Sequence, residues 1–190
     1  NPAFGVGPGN VPVYIERTAD VKHAVSNIVE SKLFDYGTVC ASEQAVIVDQ
    51  MIDKDVKEEF RRQKAYFVHA EEKKKMEPVC LKGELMNPDV VGLDPVRIAQ
   101  LAGFAVHPET SVLLARQAGV GKEHPLSIEI LCPLLSVHEV DGWEEGCAVS
   151  LAMLEYGGLG HTIGLWARDT NVIEAWLLEK PANRIVVNGL

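Results

Sequence analysis

His161-Thr162-Ile163-Gly164-Leu165-Trp166-Ala167 is an apolar run of strand length, and its neighbours on both sides alternate with it. Before it lies a helical pattern from about Trp143 to Tyr156, and before that an apolar strand around Ile130 to Val137. After it come a helix near Thr170 to Leu178 and the strand Arg184-Ile185-Val186-Val187-Asn188. Strands joined by intervening helices lie parallel, because a helix-length crossover returns the chain to the same end of the sheet. This order predicts an α/β fold of three αβα layers around a mostly parallel sheet.

The N-terminal half continues the alternation. Val13-Tyr14-Ile15 reads as a short strand, and Val21, Ala24, Val25, Ile28, Val29 and Leu33 recur at helical spacing behind Asp20, which complements the helix dipole. Ala45-Val46-Ile47-Val48 is a buried strand, and Asp53 to Ala70 is predicted as one charged helix carrying Val56, Phe60 and Phe67. The region from Glu77 to His124 is less regular; a helix is predicted over Pro95 to Ala102, with Pro95 suited to a first turn.

The chain's 190 residues, 47% hydrophobic, suffice for a sizeable single core, and a net charge of −9 argues against a nucleic-acid or anionic-membrane surface. The one basic run, Lys73-Lys74-Lys75, is bracketed by glutamates and reads as a solvated helix end. There is no signal sequence and no apolar run long enough to span a bilayer, so a cytoplasmic location is expected. The cysteines at 40, 80, 132 and 147 form no C-x-x-C pair and no two histidines have ligand spacing, so no metal site is expected.

Cys40 is the residue that points to chemistry. It lies in a loop, Phe34-Asp35-Tyr36-Gly37-Thr38-Val39-Cys40-Ala41-Ser42-Glu43-Gln44, between a patterned helix and a strand, whereas the other cysteines fall within apolar periods. A thiol nucleophile needs a base, and of six histidines His161 is best placed, directly after the glycine cluster Gly157-Gly158-Leu159-Gly160. Gly5-Val6-Gly7-Pro8-Gly9-Asn10 is not a dinucleotide fingerprint: Asn10 stands where the third glycine should be, and no strand precedes it. A turn that positions Asn10 is the better reading.

These motifs together resemble the catalytic domain of the aldehyde dehydrogenase superfamily, in particular its CoA-acylating branch and the aldehyde half of bifunctional aldehyde-alcohol dehydrogenases. The matching stretches are Gly5 to Pro12, Thr18-Ala19-Asp20, Phe34 to Gly37, Cys40-Ala41-Ser42-Glu43-Gln44, Leu101-Ala102-Gly103-Phe104, Glu129-Ile130-Leu131-Cys132-Pro133, Gly157 to Thr162 and Arg184 to Asn188. They run in order along nearly the whole chain. Pro8, Tyr36 and Cys132 depart from the alanine, asparagine and serine that relatives often carry.

The resemblance implies that Cys40 is the nucleophile, that His161 is a base or a thiolate stabiliser, and that Glu129 holds the ribose hydroxyls beside a nicotinamide. It implies NAD as cofactor, CoA as co-substrate, a short aldehyde as substrate with acetaldehyde the default, and a homo-oligomeric parent protein. Hydrolytic relatives carry a water-activating glutamate before a glycine pair, at a position that falls near Val6 here; valine cannot accept a proton, so the acyl-enzyme is expected to await a thiol. Residues 1–190 are expected to be the catalytic domain alone, with the dinucleotide-binding domain and its oxyanion-donating asparagine elsewhere, and little turnover in isolation. Relatives that act on a carboxylated or sulfonated aldehyde need a cation near Cys40, and none is identifiable from sequence. The rival readings are a hydrolytic aldehyde dehydrogenase, a catalytically silent assembly domain, and a Cys40–His161 thiol hydrolase.

Overall fold

A computed structural model describes residues 7–178 and 180–189. Val6 and Gly5, on which the argument about a missing water-activating glutamate turns, lie outside the described residues. Strands β1 (Pro12–Ile15), β2 (Ala45–Asp49), β3 (Tyr66–Phe67), β6 (Leu113–Arg116), β7 (Leu134–Val140), β8 (Gly160–Trp166) and β9 (Ala182–Val187) form one seven-stranded sheet in the order β3-β6-β7-β2-β1-β8-β9. Every neighbouring pair in it is parallel. A separate antiparallel hairpin joins β4 (Leu81–Lys82) to β5 (Leu85–Met86).

Alternation along each strand sends side chains to two faces. Val13, Ile15, Val46 and Val48 meet Val25, Ile28 and Val29 of α1 (Val21–Leu33) and Phe60 of α2 (Asp53–Arg62). On the other face Tyr14, Ile47, Ile163 and Leu165 pack beneath α5 (Trp143–Gly157) and α6 (Thr170–Leu177), with Tyr14 stacked on Trp176. Further along that face α3 (Ala70–Cys80) and α4 (Pro95–Leu101) cover Leu113, Ala115 and Leu134. The three-layer α/β arrangement is the one the sequence predicts. Among the described residues no helix is long and apolar enough to cross a membrane.

The structure corrects four local expectations. The helix expected over Asp53 to Ala70 stops at Arg62: Lys64 takes φ 63°, the chain turns, and Tyr66–Phe67 joins the sheet before α3 begins. Lys73, Lys74 and Lys75 therefore lie inside a helix rather than at its end. The strand expected from Ile130 begins at Leu134, because Pro133 has no N–H for the ladder and Ile130 is held elsewhere, as described below. Leu33 is 41% exposed, while Lys32 beside it is fully buried.

Candidate active site at the amino edge of the sheet

Four segments enter the sheet side by side: residues 9–11 before β1, 40–44 before β2, 128–133 before β7, and 158–161, which run into the start of β8. The register sets them level, with Pro12 opposite Ala45, Ala45 opposite Ser136, and Val13 opposite Gly164. Residues far apart in sequence thus share one edge.

The Cys40 loop is built from α1 outward. Asp20 caps α1 by accepting from the His23 amide, and the helix ends where the Phe34 amide bonds the Glu30 carbonyl. Asp35, Tyr36 and Gly37 then take φ of 47°, 52° and 73°, a left-handed run that turns the chain back toward the sheet. Only glycine fits the third place, since a Cβ there would lie 2.8 Å from the Cys132 carbonyl oxygen. The Ser42 amide and hydroxyl both bond the Val39 carbonyl, at 3.0 and 2.8 Å. This closes a four-residue turn with Cys40 and Ala41 at its centre and Cys40 exposed.

Gly9 is where the predicted residues meet. Its amide donates to Glu129 Oε1 at 2.8 Å, and a Cβ at this position would stand 2.3 Å from the Cys40 carbonyl oxygen and 3.0 Å from His161 Nε2. The structure therefore brings the Cys40 backbone, the His161 imidazole and the Glu129 carboxylate around one buried glycine. Next to it, Asn10 is fully buried and its Nδ2 donates to the carbonyls of Ser127 and Met153, at 2.9 and 3.1 Å. That fastens the entry to β1 against both the Glu129 loop and α5. Glu129 also lines a cavity of about 470 Å³ with Pro8, Leu85, Met86, Ile128 and Tyr156.

Behind this edge lies a buried polar cluster. Lys32 Nζ donates to Gln44 Oε1 at 2.9 Å and to the Ile130 carbonyl at 3.3 Å, and Gln44 Oε1 also accepts from the Ile130 amide at 3.1 Å. Burial lowers the Lys32 pKa to about 8. It raises that of the Glu43 carboxyl and pushes the Cys132 thiol up to about 12, so Cys132 stays protonated. The sequence reading missed Lys32, although the signal was there: it sits four residues after Ile28 and three after Val29, on the apolar stripe of α1. It also missed Arg184, which lines a cavity of about 280 Å³ with Phe34, Val39, Ala41 and Ser42 and interacts with Glu43. A cation therefore flanks the Cys40 loop.

The remaining histidines lie elsewhere. His23 is exposed against Trp166, His69 is the exposed N-cap residue of α3, and His138 is buried in β7 with Nε2 at 3.2 Å from Ser136 Oγ.

The amino edge of the parallel sheet thus carries a loop whose cysteine backbone lies with a histidine and a carboxylate around one glycine. No protein-family profile matches the chain. It is 41% identical over 168 residues to the aldehyde-alcohol dehydrogenase of Clostridium acetobutylicum, covering 88% of this chain and 20% of the relative. It is 38% identical over 197 residues to the aldehyde-alcohol dehydrogenase of Streptococcus pneumoniae, covering 99% of this chain and 22% of the relative. Its fold superposes on an acetylating aldehyde dehydrogenase from Geobacillus thermoglucosidasius with a TM-score of 0.96 and 48% identity, over 99% of this chain and 42% of that one. Over most of its length the chain is homologous to aldehyde-alcohol dehydrogenases and acetylating aldehyde dehydrogenases. It spans about a fifth of the length of these curated relatives.

Proposed function

We propose that this chain is the nucleophile-bearing catalytic domain of a CoA-acylating aldehyde dehydrogenase, interconverting a short aldehyde and its acyl-CoA with a nicotinamide cofactor. One observation carries the reading: the backbone of Cys40, the Nε2 of His161 and the carboxylate of Glu129 all converge on Gly9. The relatives' names, aldehyde-alcohol and acetylating aldehyde dehydrogenase, support the acylating branch.

In this reading the Cys40 thiolate attacks the aldehyde carbonyl and forms a C–S bond, giving a thiohemiacetal. A nicotinamide held beside Glu129 would supply the hydride acceptor in oxidation and the donor in the reverse direction. Loss of hydride leaves an acyl thioester on Cys40, which the CoA thiol attacks to release the acyl-CoA and restore the cysteine. His161, with Nε2 beside Gly9, takes the proton from the attacking thiol. Glu129 fits the ribose next to the nicotinamide: its Oε1 is anchored by the Gly9 amide, and it lines a cavity whose walls include Leu85, Met86 and Ile128 together with Glu84 and Tyr156. A carboxylate accepting two hydroxyl hydrogen bonds suits a diol. The valine near the position of the hydrolytic glutamate, Val6, favours a thiol over water as acyl acceptor.

NAD and acetaldehyde are the default cofactor and substrate, within a longer chain that supplies the dinucleotide-binding domain. The outer side of β9, at the end of the sheet, supports assembly into a homo-oligomer through a further strand. The test uses the full-length protein carrying this segment, with acetaldehyde and NAD, with and without CoA, following NADH. The expected result is CoA-dependent turnover that Cys40→Ala abolishes. Equal turnover without CoA would mean that water resolves the acyl-enzyme and would overturn the acylating assignment.

A further inference from the structure

Lys32 and Gln44 take no part in the chemistry above, yet they form the most closely knit polar contact at this edge. The amide of Ile130 donates to Gln44 Oε1, and the carbonyl of Ile130 accepts from Lys32 Nζ, which itself donates to the same Gln44 oxygen. Both backbone groups of the residue following Glu129 are thus gripped by side chains from α1 and from the loop before β2. The main chain of Gln44 is fixed as well: its amide donates to the Val11 carbonyl at 2.8 Å and its carbonyl accepts from the Ser136 amide at 3.0 Å. The Nε2 of Gln44 is buried and has no hydrogen-bond partner among the described residues, so only the oxygen end of this side chain is in use.

A buried cation bonded only to neutral oxygens is costly to maintain, and a leucine would fill the same helical position without that cost. What the lysine adds is a fixed tie between α1 and the segment that presents Glu129. We infer that Lys32 is a positioning residue which, through Gln44, clamps the Ile130 backbone and thereby holds Glu129 in register with Gly9 for binding the nicotinamide ribose. This deepens the function proposed above and rests on that reading of Glu129.

The charge on the clamp titrates near the working range. Burial brings Lys32 to about 8, and the groups facing it are Cys132 and Glu129 from the segment before β7 and Glu43 from the loop before β2. Cys132 remains protonated, and Glu43 is shared with Ser31 of α1 and Arg184 of β9. Above pH of about 8 the ammonium becomes an amine, with fewer donors and no attraction for Glu129, so cofactor binding weakens there.

The test measures KM for NAD, aldehyde and CoA against pH in the full-length protein. Lys32→Met is expected to raise KM for NAD about tenfold, leave the other two constants within about twofold, and remove the limb near pH 8. Gln44→Leu should reproduce the rise. Gln44→Glu keeps an acceptor oxygen and gives up only the unpartnered nitrogen, so it should retain low KM for NAD while its added negative charge moves the limb to higher pH. If Lys32→Met fails to fold, the two Gln44 variants decide. An unchanged KM for NAD in Lys32→Met or Gln44→Leu, or a loss spread equally over all three substrates, would overturn the clamp. Glu129→Gln separates the two failures: if it leaves KM for NAD unchanged, the reading of Glu129 falls and the clamp with it. If it raises KM while Lys32→Met does not, the clamp alone is wrong.

Discussion

The two edges of the parallel sheet solve the problem of polar groups in opposite ways. At the carboxyl edge, charge is paired with charge. Asp49, buried at the end of β2, accepts from Arg17 Nε at 2.7 Å, Tyr14 Oη at 3.3 Å and the Met51 amide at 3.0 Å. Arg116 at the end of β6 bridges Asp53 and Glu139, at 2.9 and 2.5 Å. At the amino edge the buried cation Lys32 bonds neutral oxygens, Glu43 Oε2 has no hydrogen-bond partner among the described residues, and Glu129 is held by a backbone amide. Ligands of open α/β sheets usually gather at the carboxyl ends of strands. Here that edge is closed by ion pairs, and the groups proposed to react converge on the opposite one. The difference teaches that incomplete pairing, more than strand direction, separates the proposed working edge from the other.

That contrast can be broken by mutation, and the largest effect belongs to the glycine at the convergence point. Gly9→Ala would drive a methyl group against the Cys40 carbonyl, where the atom in the way is backbone and cannot rotate aside. Turnover in the full-length protein is expected to fall by about 100-fold or more, with a smaller drop in melting temperature as the backbone shifts to admit the methyl group, as checked by paired kinetics and thermal denaturation. A comparable loss of kcat from a carboxyl-edge change would erase the distinction.

Asp49→Asn tests the other edge. It leaves Arg17 only the longer contact with exposed Asp141, at 4.0 Å, and should cost about 1–3 kcal/mol in urea denaturation with kcat within about twofold. pH supplies a third probe. Burial depresses His138 to about 4 in the folded chain, against an ordinary value near 6.5. Between these values the unfolded chain binds a proton that the folded one excludes, so stability is complete above about 6.5 and is lost as pH falls toward 4. The span corresponds to roughly 3 kcal/mol, and His138→Gln should flatten that part of the pH–stability curve. The smallest effect expected is for Arg116→Ala. Arg116 and Glu139 are about half exposed, though Asp53 is not, so the loss should be no more than about 1 kcal/mol and should shrink further in high salt.

How far the sequence reached depended on whether a feature was local. The β-α-β-α-β order of the C-terminal half could be read because each element carries its own period, and Cys40 stood out because it interrupts none. Resemblance, not spacing, singled out Glu129, since no local pattern tells a carboxylate that accepts an amide 120 positions away from a solvated one. The β3 strand was hidden by its length of two residues, too short for any alternation to register against the charged helix before it. Lys32 was readable as a cation on an apolar stripe, but its partners Gln44 and Ile130 come from other connections, so its role needed the tertiary structure. The same holds for Arg184, which reaches the nucleophile loop from the last strand.

The central claim is that Cys40, at the amino edge, carries the acyl group between aldehyde and CoA. The most direct measurement is to incubate the full-length protein with acetyl-CoA in the absence of reduced cofactor and map the acylated peptide by mass spectrometry. The account predicts a hydroxylamine-labile acetyl group on Cys40 and none on Cys80 or Cys132, both buried thiols with raised pKa. Acetylation of another cysteine, or none at all under conditions that support turnover, would contradict it.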